Sequence, residues 1–308
     1  IFNLLFNLVQ YIQRIGGIMK NFDFKSFDGF ILKASKFLVN DPLGNILIIH
    51  GAKEHKERYY TFAKYLNNEG YNVFLVDNRG HGSSLSDDYP LGYLNDYEKV
   101  ILDIHSLVID IKKNYSDIPV YLFGHSLGSM FARIYLEKFD NEIDKLVLSG
   151  TVNYNPLGII GIWTGNILKL FKGSFGYSKL LEKMARFTSD EWVVKNKEAI
   201  EMYRADTLCN YKYPIDSMLM IFKINRELNK KRHFKCQNKD LPILLVSGEE
   251  DPITGGNKGL KHTIKILKQI GYHDILNLVY KDMAHEVLNE KDNEYVMNDI
   301  VTFLKYHN

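Results

Sequence analysis

The sequence predicts an α/β fold in which a mostly parallel sheet is flanked by helices and interrupted by an inserted helical segment. Three observations carry this expectation. Short, continuously apolar runs alternate with helical patterns through most of the 308 residues, as in sheets whose strands are buried on both faces. The alternation stops after about residue 152 and resumes near residue 241, a gap too long for a connecting loop. Finally, the apolar run Val120–Phe123 leads through Gly124-His125-Ser126-Leu127-Gly128 into a helical pattern, which places a sharp strand-to-helix turn at Ser126.

The elements follow in order. Asn21 to Phe27 and Phe30 to Phe37 read as strands joined by Asp28-Gly29, a hairpin signal. The run from Asn45 to Ile49 reads as a buried strand and is followed by a helix over Arg58 to Glu69, closed by Gly70. Tyr71 to Asp77 is the next strand, and Asp77 to Ser83 is a turn-rich loop. Helices are expected over Asp96 to Lys113 and Ser126 to Phe139, with a strand from Ile143 to Ser149. Beyond the insertion come a strand from Leu241 to Gly248, a helix near Asn257 to Ile270, a strand near Leu276 to Tyr280 and a helix over Asn293 to Tyr306. The organisation is therefore an extension over 1–18, a first core part over 19–151, a helical cap over 152–235 and a second core part over 236–308.

The formal net charge of +2, with lysines interleaved among acids, gives no basic stripe and no reason to expect nucleic acid. Cys209 and Cys236 stand far apart outside any C-x-x-C spacing, which argues against a disulfide framework or a zinc site and for reduced thiols in a cytoplasm. Residues 1–18 place Leu4, Leu5, Leu8, Ile12 and Ile15 at amphipathic helical spacing without a basic leading region. The favoured reading is an upstream extension before a natural start at Met19, with a membrane-surface helix as the alternative. Deleting 1–18 is expected to leave activity intact.

The chemistry begins at Ser126. A serine hydroxyl needs a neutral histidine to take its proton and a carboxylate to orient that histidine. In open α/β sheets such partners lie in loops after the carboxyl ends of strands. Downstream of Ser126, one strand runs into Gly248-Glu249-Glu250-Asp251-Pro252 and another into Lys281-Asp282-Met283-Ala284-His285. Asp251 and His285 thus stand in the order Ser, Asp, His. Glu249 and Glu250 share the carboxylate loop as alternatives, and His125 is too close in sequence to Ser126 to act as its base. Backbone N–H groups for the developing oxyanion are expected at Leu127, after the nucleophile, and at Ala52, in the loop His50-Gly51-Ala52.

The segments His50 to Tyr59, Asp77 to Ser83, Gly124 to Ser129, Gly248 to Pro252 and Ala284 to Glu290 together resemble the monoacylglycerol lipase and lysophospholipase branch of the α/β-hydrolases, within the serine aminopeptidase S33 grouping. The resemblance covers about residues 20–306. Its most specific element is Glu54-His55-Lys56-Glu57-Arg58-Tyr59. The resemblance implies the α/β-hydrolase fold and a cytoplasmic serine esterase for monoacylglycerol-like or lysophospholipid esters. It supports Ser126, Asp251 and His285 as triad and requires no metal or organic cofactor. It also implies that Glu54, Arg58, Asp77 and Arg79 brace the active-site loops, against the plainer reading of surface ion pairs. Asp206-Thr207-Leu208-Cys209 is similar to a family cap motif, with Thr207 where proline is usual. A short-chain esterase or aminopeptidase-like peptidase is the second reading, and a non-catalytic ligand receptor the third.

Leu157 to Phe171 is apolar all round, with Gly158, Gly161 and Gly165 on one side. It is too short and interrupted to span a bilayer. Three placements compete: packing in the cap core, an acyl tunnel above Ser126 lined by Ile160 and Trp163, or transient contact with membranes and micelles.

Overall fold

A computed structural model describes residues 19–187 and 189–307; the helix expected over 1–18 lies outside them. The hairpin forms from β1 (Lys20–Lys25) and β2 (Ile31–Phe37), with Gly29 at φ 88° in the turn. The remaining strands are β3 (Asn45–Ile49), β4 (Asn72–Val76), β5 (Val120–His125), β6 (Lys145–Ser149), β7 (Ile243–Gly248) and β8 (Ile275–Tyr280). They assemble in the order β1-β2-β4-β3-β5-β6-β7-β8. Pairing is antiparallel through β1, β2 and β4 and parallel from β4 to β8. Strands β3 to β7 are buried along their whole length, which explains their unbroken apolar runs.

Helices cover both faces. A single turn of 3-10 helix, Lys56–Tyr59, precedes α1 (Tyr60–Asn68), so the helix expected from Arg58 begins as a tighter turn. In α2 (Tyr97–Asn114) the Asp96 side chain accepts from the Glu98 N–H at 2.9 Å, a cap that satisfies a free donor. The others flanking the sheet are α3 (Leu127–Phe139), α8 (Gly256–Ile270) and α9 (Asn293–Tyr306). Alternation along β3 separates the core. Leu47 and Ile49 pack with Ile104, Phe131 and Leu260 of α2, α3 and α8. Ile46 and Ile48 pack with Phe62 and Ile300 of α1 and α9.

Between β6 and β7 the chain forms α4 (Gly158–Lys172), α5 (Lys179–Met184), α6 (Lys197–Ala205) and α7 (Ile215–Glu227). Helices α4 and α7 lie against each other through the glycine side of α4. A Cβ on Gly161 would come within 2.8 Å of the Phe222 ring, and one on Gly165 within 2.5 Å of Leu219. Among the described residues, no helix is long and apolar enough to cross a membrane.

Candidate active site

Ser126 sits between β5 and α3 at φ 51°, ψ −115°, a strained backbone for a side-chain-bearing residue. Its neighbours explain how the turn is tolerated. A Cβ on Gly124 would lie 2.5 Å from the Gly128 carbonyl oxygen, and one on Gly128 would lie 2.3 Å from that of Ile49. Only glycine fits at either position. The Ser126 N–H donates to the Ser149 carbonyl at 3.0 Å, which ties the turn to β6.

The loops after β7 and β8 bring Asp251 and His285 together. His285 Nδ1 donates to Asp251 Oδ2 at 2.7 Å, and both side chains are buried. Asp251 Oδ1 accepts from the Ile253 N–H at 2.8 Å. Burial alone would raise the Asp251 pKa, but the His285 charge and these hydrogen bonds hold it below the usual carboxylate range. Burial alone would lower the His285 pKa, but Asp251 outweighs it and raises it above the ordinary imidazole value. His285 Nε2 is buried and makes no hydrogen bond among the described residues, so it is free to take a proton. Glu249 and Glu250, the alternative carboxylates, are exposed, and Glu250 pairs with Lys195 at 2.7 Å. His125 packs on His285 with ring centroids 4.7 Å apart. Burial above all pushes its pKa down to about 4, leaving it neutral beside His285.

The loop after β3 is anchored from behind. The Gly51 N–H donates to Glu54 Oε2 at 2.7 Å and Tyr59 Oη donates to the same oxygen at 2.8 Å. Arg58 spans two carboxylates, donating to Glu54 at 3.0 Å and to Glu286 at 2.5 Å. Burial opposes ionisation of Glu54, but His125 and Arg58 bring its pKa down to about 2. His50 Nε2 accepts from the Asn78 N–H at 3.0 Å, which links this loop to the one after β4. There Asp77 binds Lys56 Nζ at 2.8 Å and the Ser83 N–H at 2.9 Å. Arg79 reaches Asp103 at 2.6 Å and Asp28 at 2.8 Å. Glu54, Asp77 and Arg79 are buried rather than surface groups, so the plainer reading of surface ion pairs does not hold. Ala52 lines the cavity above Ser126, and Leu127 opens α3 beside it. Neither N–H donates to another group among the described residues.

The cavity of about 250 Å³ over Ser126 and His285 is walled by Phe187, Trp192, Val193, Tyr203 and Asn210 from the segment between β6 and β7. None of these was singled out in the sequence. The Trp192 ring lies 5.1 Å from the His285 ring, tilted at 56° to it. Ile160 and Trp163, expected as substrate contacts, are not among the lining residues. They are 53% and 68% exposed on the outer side of α4. The physical reason is the glycine stripe: it presses one side of α4 onto α7, so the large apolar side chains point the other way. Leu170 and Phe171 continue that outward face.

Two clusters beside the cavity hold metal-ligand atom types within 4.8 Å of one another: His55, Asp206 and Cys209, and Glu54, His125 and Glu286. Both are engaged internally. His55 Nε2 meets Asp206 at 2.7 Å, and Arg58 bridges the two glutamates of the second.

A family model described as serine aminopeptidase, S33 matches residues 40–292. The chain belongs to this family. Among curated relatives, a monoacylglycerol lipase of Mycolicibacterium smegmatis is 23% identical over 276 residues, covering 87% of this chain and 90% of that protein. Phospholipase YtpA of Bacillus subtilis is 23% identical over 259 residues, covering 83% of this chain and 92% of that protein. A highly thermostable carboxyl esterase from Bacillus coagulans, solved in complex with glycerol, superposes with a TM-score of 0.82 at 24% identity, covering 93% of this chain and 97% of the other. The S33 family and these folds make the protein an α/β-hydrolase.

Proposed function

We propose that the protein is a serine hydrolase that cleaves carboxylic esters of mono-acyl lipids, of the monoacylglycerol or lysophospholipid type. The observation that carries this reading is a buried His285 fixed at Nδ1 by Asp251, with Nε2 free, beside the strained Ser126 in one cavity. Ser126 Oγ attacks the ester carbonyl carbon while His285 Nε2 takes its proton. The carbonyl oxygen becomes an oxyanion held by the Ala52 and Leu127 N–H groups. As the C–O bond breaks, His285 returns the proton to the leaving alcohol oxygen, which gives an acyl-enzyme. Water, deprotonated by His285, releases the fatty acid and restores Ser126.

Residues 152–235 act in this reading as a cap that supplies the cavity walls. The outward apolar face of α4, with Ile160, Trp163, Leu170 and Phe171, meets micelle or membrane surfaces that present the lipid. Free Cys209 and Cys236 suit a cytoplasmic enzyme.

A peptidase reading would need a free carboxylate to receive an amino terminus. The carboxylates lining the cavity are Glu54, Glu286 and Asp190. Each is paired with an arginine, the first two with Arg58 and the last with Arg204 at 2.8 Å. This favours the ester. The test is a hydrolysis panel of monoacylglycerols, lysophospholipids and aminoacyl amides beside a Ser126→Ala control. Turnover of the lipid esters, lost in the control, is expected; turnover of the amides alone would overturn the reading.

A further inference from the structure

A second cavity of about 660 Å³ adjoins the one over Ser126. Lys53, Phe187 and Asn210 line both. The second is also lined by Lys179 and Lys212, by Tyr177 and Tyr211, and by one carboxylate, Glu182. None of the three lysine ammonium groups forms an ion pair among the described residues.

Lys53 is held in place. It follows Ala52 directly and has φ 55°, a region that a residue with a side chain enters at a cost. Such outliers persist only where their surroundings fix them, and they concentrate at binding sites. Here the Lys53 N–H donates to Tyr213 Oη at 2.9 Å, and Tyr213 Oη in turn contacts His81 Nε2 at 2.7 Å. The Lys53 ammonium stands 5.4 Å from the Phe187 ring centroid, partly withdrawn from water. Burial above all lowers its pKa; Glu182 and Asp190 pull it up again and Lys212 pushes it further down. A desolvated cation with no fixed counter-ion is stabilised when an anion arrives.

We propose that Lys53, Lys179 and Lys212 form a phosphate subsite beside the Ser126 cavity, which selects mono-acyl lipids whose headgroup carries a phosphate. The inference rests on the ester-hydrolase reading for its placement. With the ester oxygen at the Ala52 N–H, the next residue of the same loop, Lys53, lines both cavities, so a headgroup that enters the second one meets its ammonium. One glycerol backbone separates ester from phosphate in a lysophospholipid. A neutral monoacylglycerol offers these lysines no counter-charge, whereas a phosphate offers several acceptor oxygens to flexible point charges.

Binding to the Ser126→Ala protein tests this without turnover, using short-chain lysophosphatidylglycerol and monoacylglycerol of equal chain length below their micelle concentrations. Lys53→Gly removes the charge at a backbone conformation that glycine adopts freely. Lys212→Met removes a charge outside the oxyanion loop. Each substitution is expected to reduce the preference for lysophosphatidylglycerol over monoacylglycerol by about tenfold, the scale of a charge-assisted contact. Added salt is expected to erode the same preference. Equal affinity of the parent protein for the two lipids, or an unchanged preference in both variants, would overturn the subsite. Inorganic phosphate binding as tightly as the lipid would assign these lysines to free phosphate instead of a headgroup. If the wild-type protein hydrolysed no ester, the ester-hydrolase reading would fail while the binding preference still decided the subsite.

Discussion

The loops at the carboxyl ends of the strands and the segment between β6 and β7 handle polarity in opposite ways. The loops bury charge and saturate it. Asp77 and Arg79 are 0% exposed, yet each is held by several partners. The inserted segment exposes apolar surface, with Leu170 and Phe171 more than 80% accessible. Its inner side still joins the core: Met218 and Phe222 share an apolar cluster with Met130, Ser217 bonds Leu94 and Gly92, and Tyr213 meets Lys53 and His81. The lesson is a division of labour. Around Ser126 and His285 buried charges hold one another in place, while the walls over them come from a segment that leaves much of its apolar surface outside.

Asp251→Asn strikes the network where it touches the chemistry. Turnover is expected to fall by about 10⁴, read as kcat on a soluble ester. In the parent protein His285 must be neutral to accept a proton, and its raised pKa places the acid limb of the kcat/KM profile above pH 6.5. Residual activity of Asp251→Asn should show that limb displaced downward, because the charge that most opposes burial at His285 is then gone, with only the weaker pull of Glu286 and Glu54 remaining.

Arg58→Met leaves Glu54 and Glu286 buried without their shared cation. A stability loss of about 3–5 kcal/mol is expected, measured by urea unfolding. A loss below about 1 kcal/mol would mean that the network matters less than its burial suggests.

Acid should weaken the same region. Burial lowers the pKa of His125 to about 4 and of His81 to about 3 from an ordinary 6.5. Below pH 6.5 the unfolded chain binds protons that the folded one refuses, so stability should drop as pH falls from 6.5 toward 4. Phe replacements of either histidine should flatten that slope.

In the inserted segment the expected effects are smaller. Gly165→Leu forces α4 against Leu219 and should cost about 1–3 kcal/mol, read as a shift in the urea midpoint. Ile160→Ser with Trp163→Ser alters only exposed positions and should change stability by about 0.5 kcal/mol or less. Its effect should fall on the ratio of micellar to soluble ester turnover. A ratio equal to that of the parent would remove the lipid-surface role of α4.

The comparison also explains what was legible in the sequence. The parallel core was readable because β3 to β7 are buried on both faces and the flanking helices each keep an apolar side. The sharp turn at Ser126 was readable because sterics allow only glycine at 124 and 128. Asp251 and His285 were readable because sheet topology orders the loops that carry them. Burial of Glu54, Asp77 and Arg79 was not, since a charged residue in a loop looks the same whether paired inside or solvated outside. The cavity wall was not readable either: Phe187 and Trp192 lie in turns with no periodicity to fix their direction, and the short pattern of α6 does not tell what Tyr203 packs against. The apolarity of Ile160 and Trp163 alone leaves cap core, acyl tunnel and lipid-facing surface all open. Yet Gly158, Gly161 and Gly165 recur at helical spacing on one side, and small residues on one face mark close helix contact. That signal, followed through, turns the large side chains outward.

The chain contains two tryptophans, Trp163 and Trp192, and they report on the two regions separately. Trp163 stands in solvent on α4, whereas Trp192 lies 5.1 Å from the His285 ring. Because imidazolium quenches indole emission, Trp163→Phe leaves a fluorophore whose brightness follows the protonation of His285. The protein thus carries its own optical readout of the His285 imidazole, with no label attached.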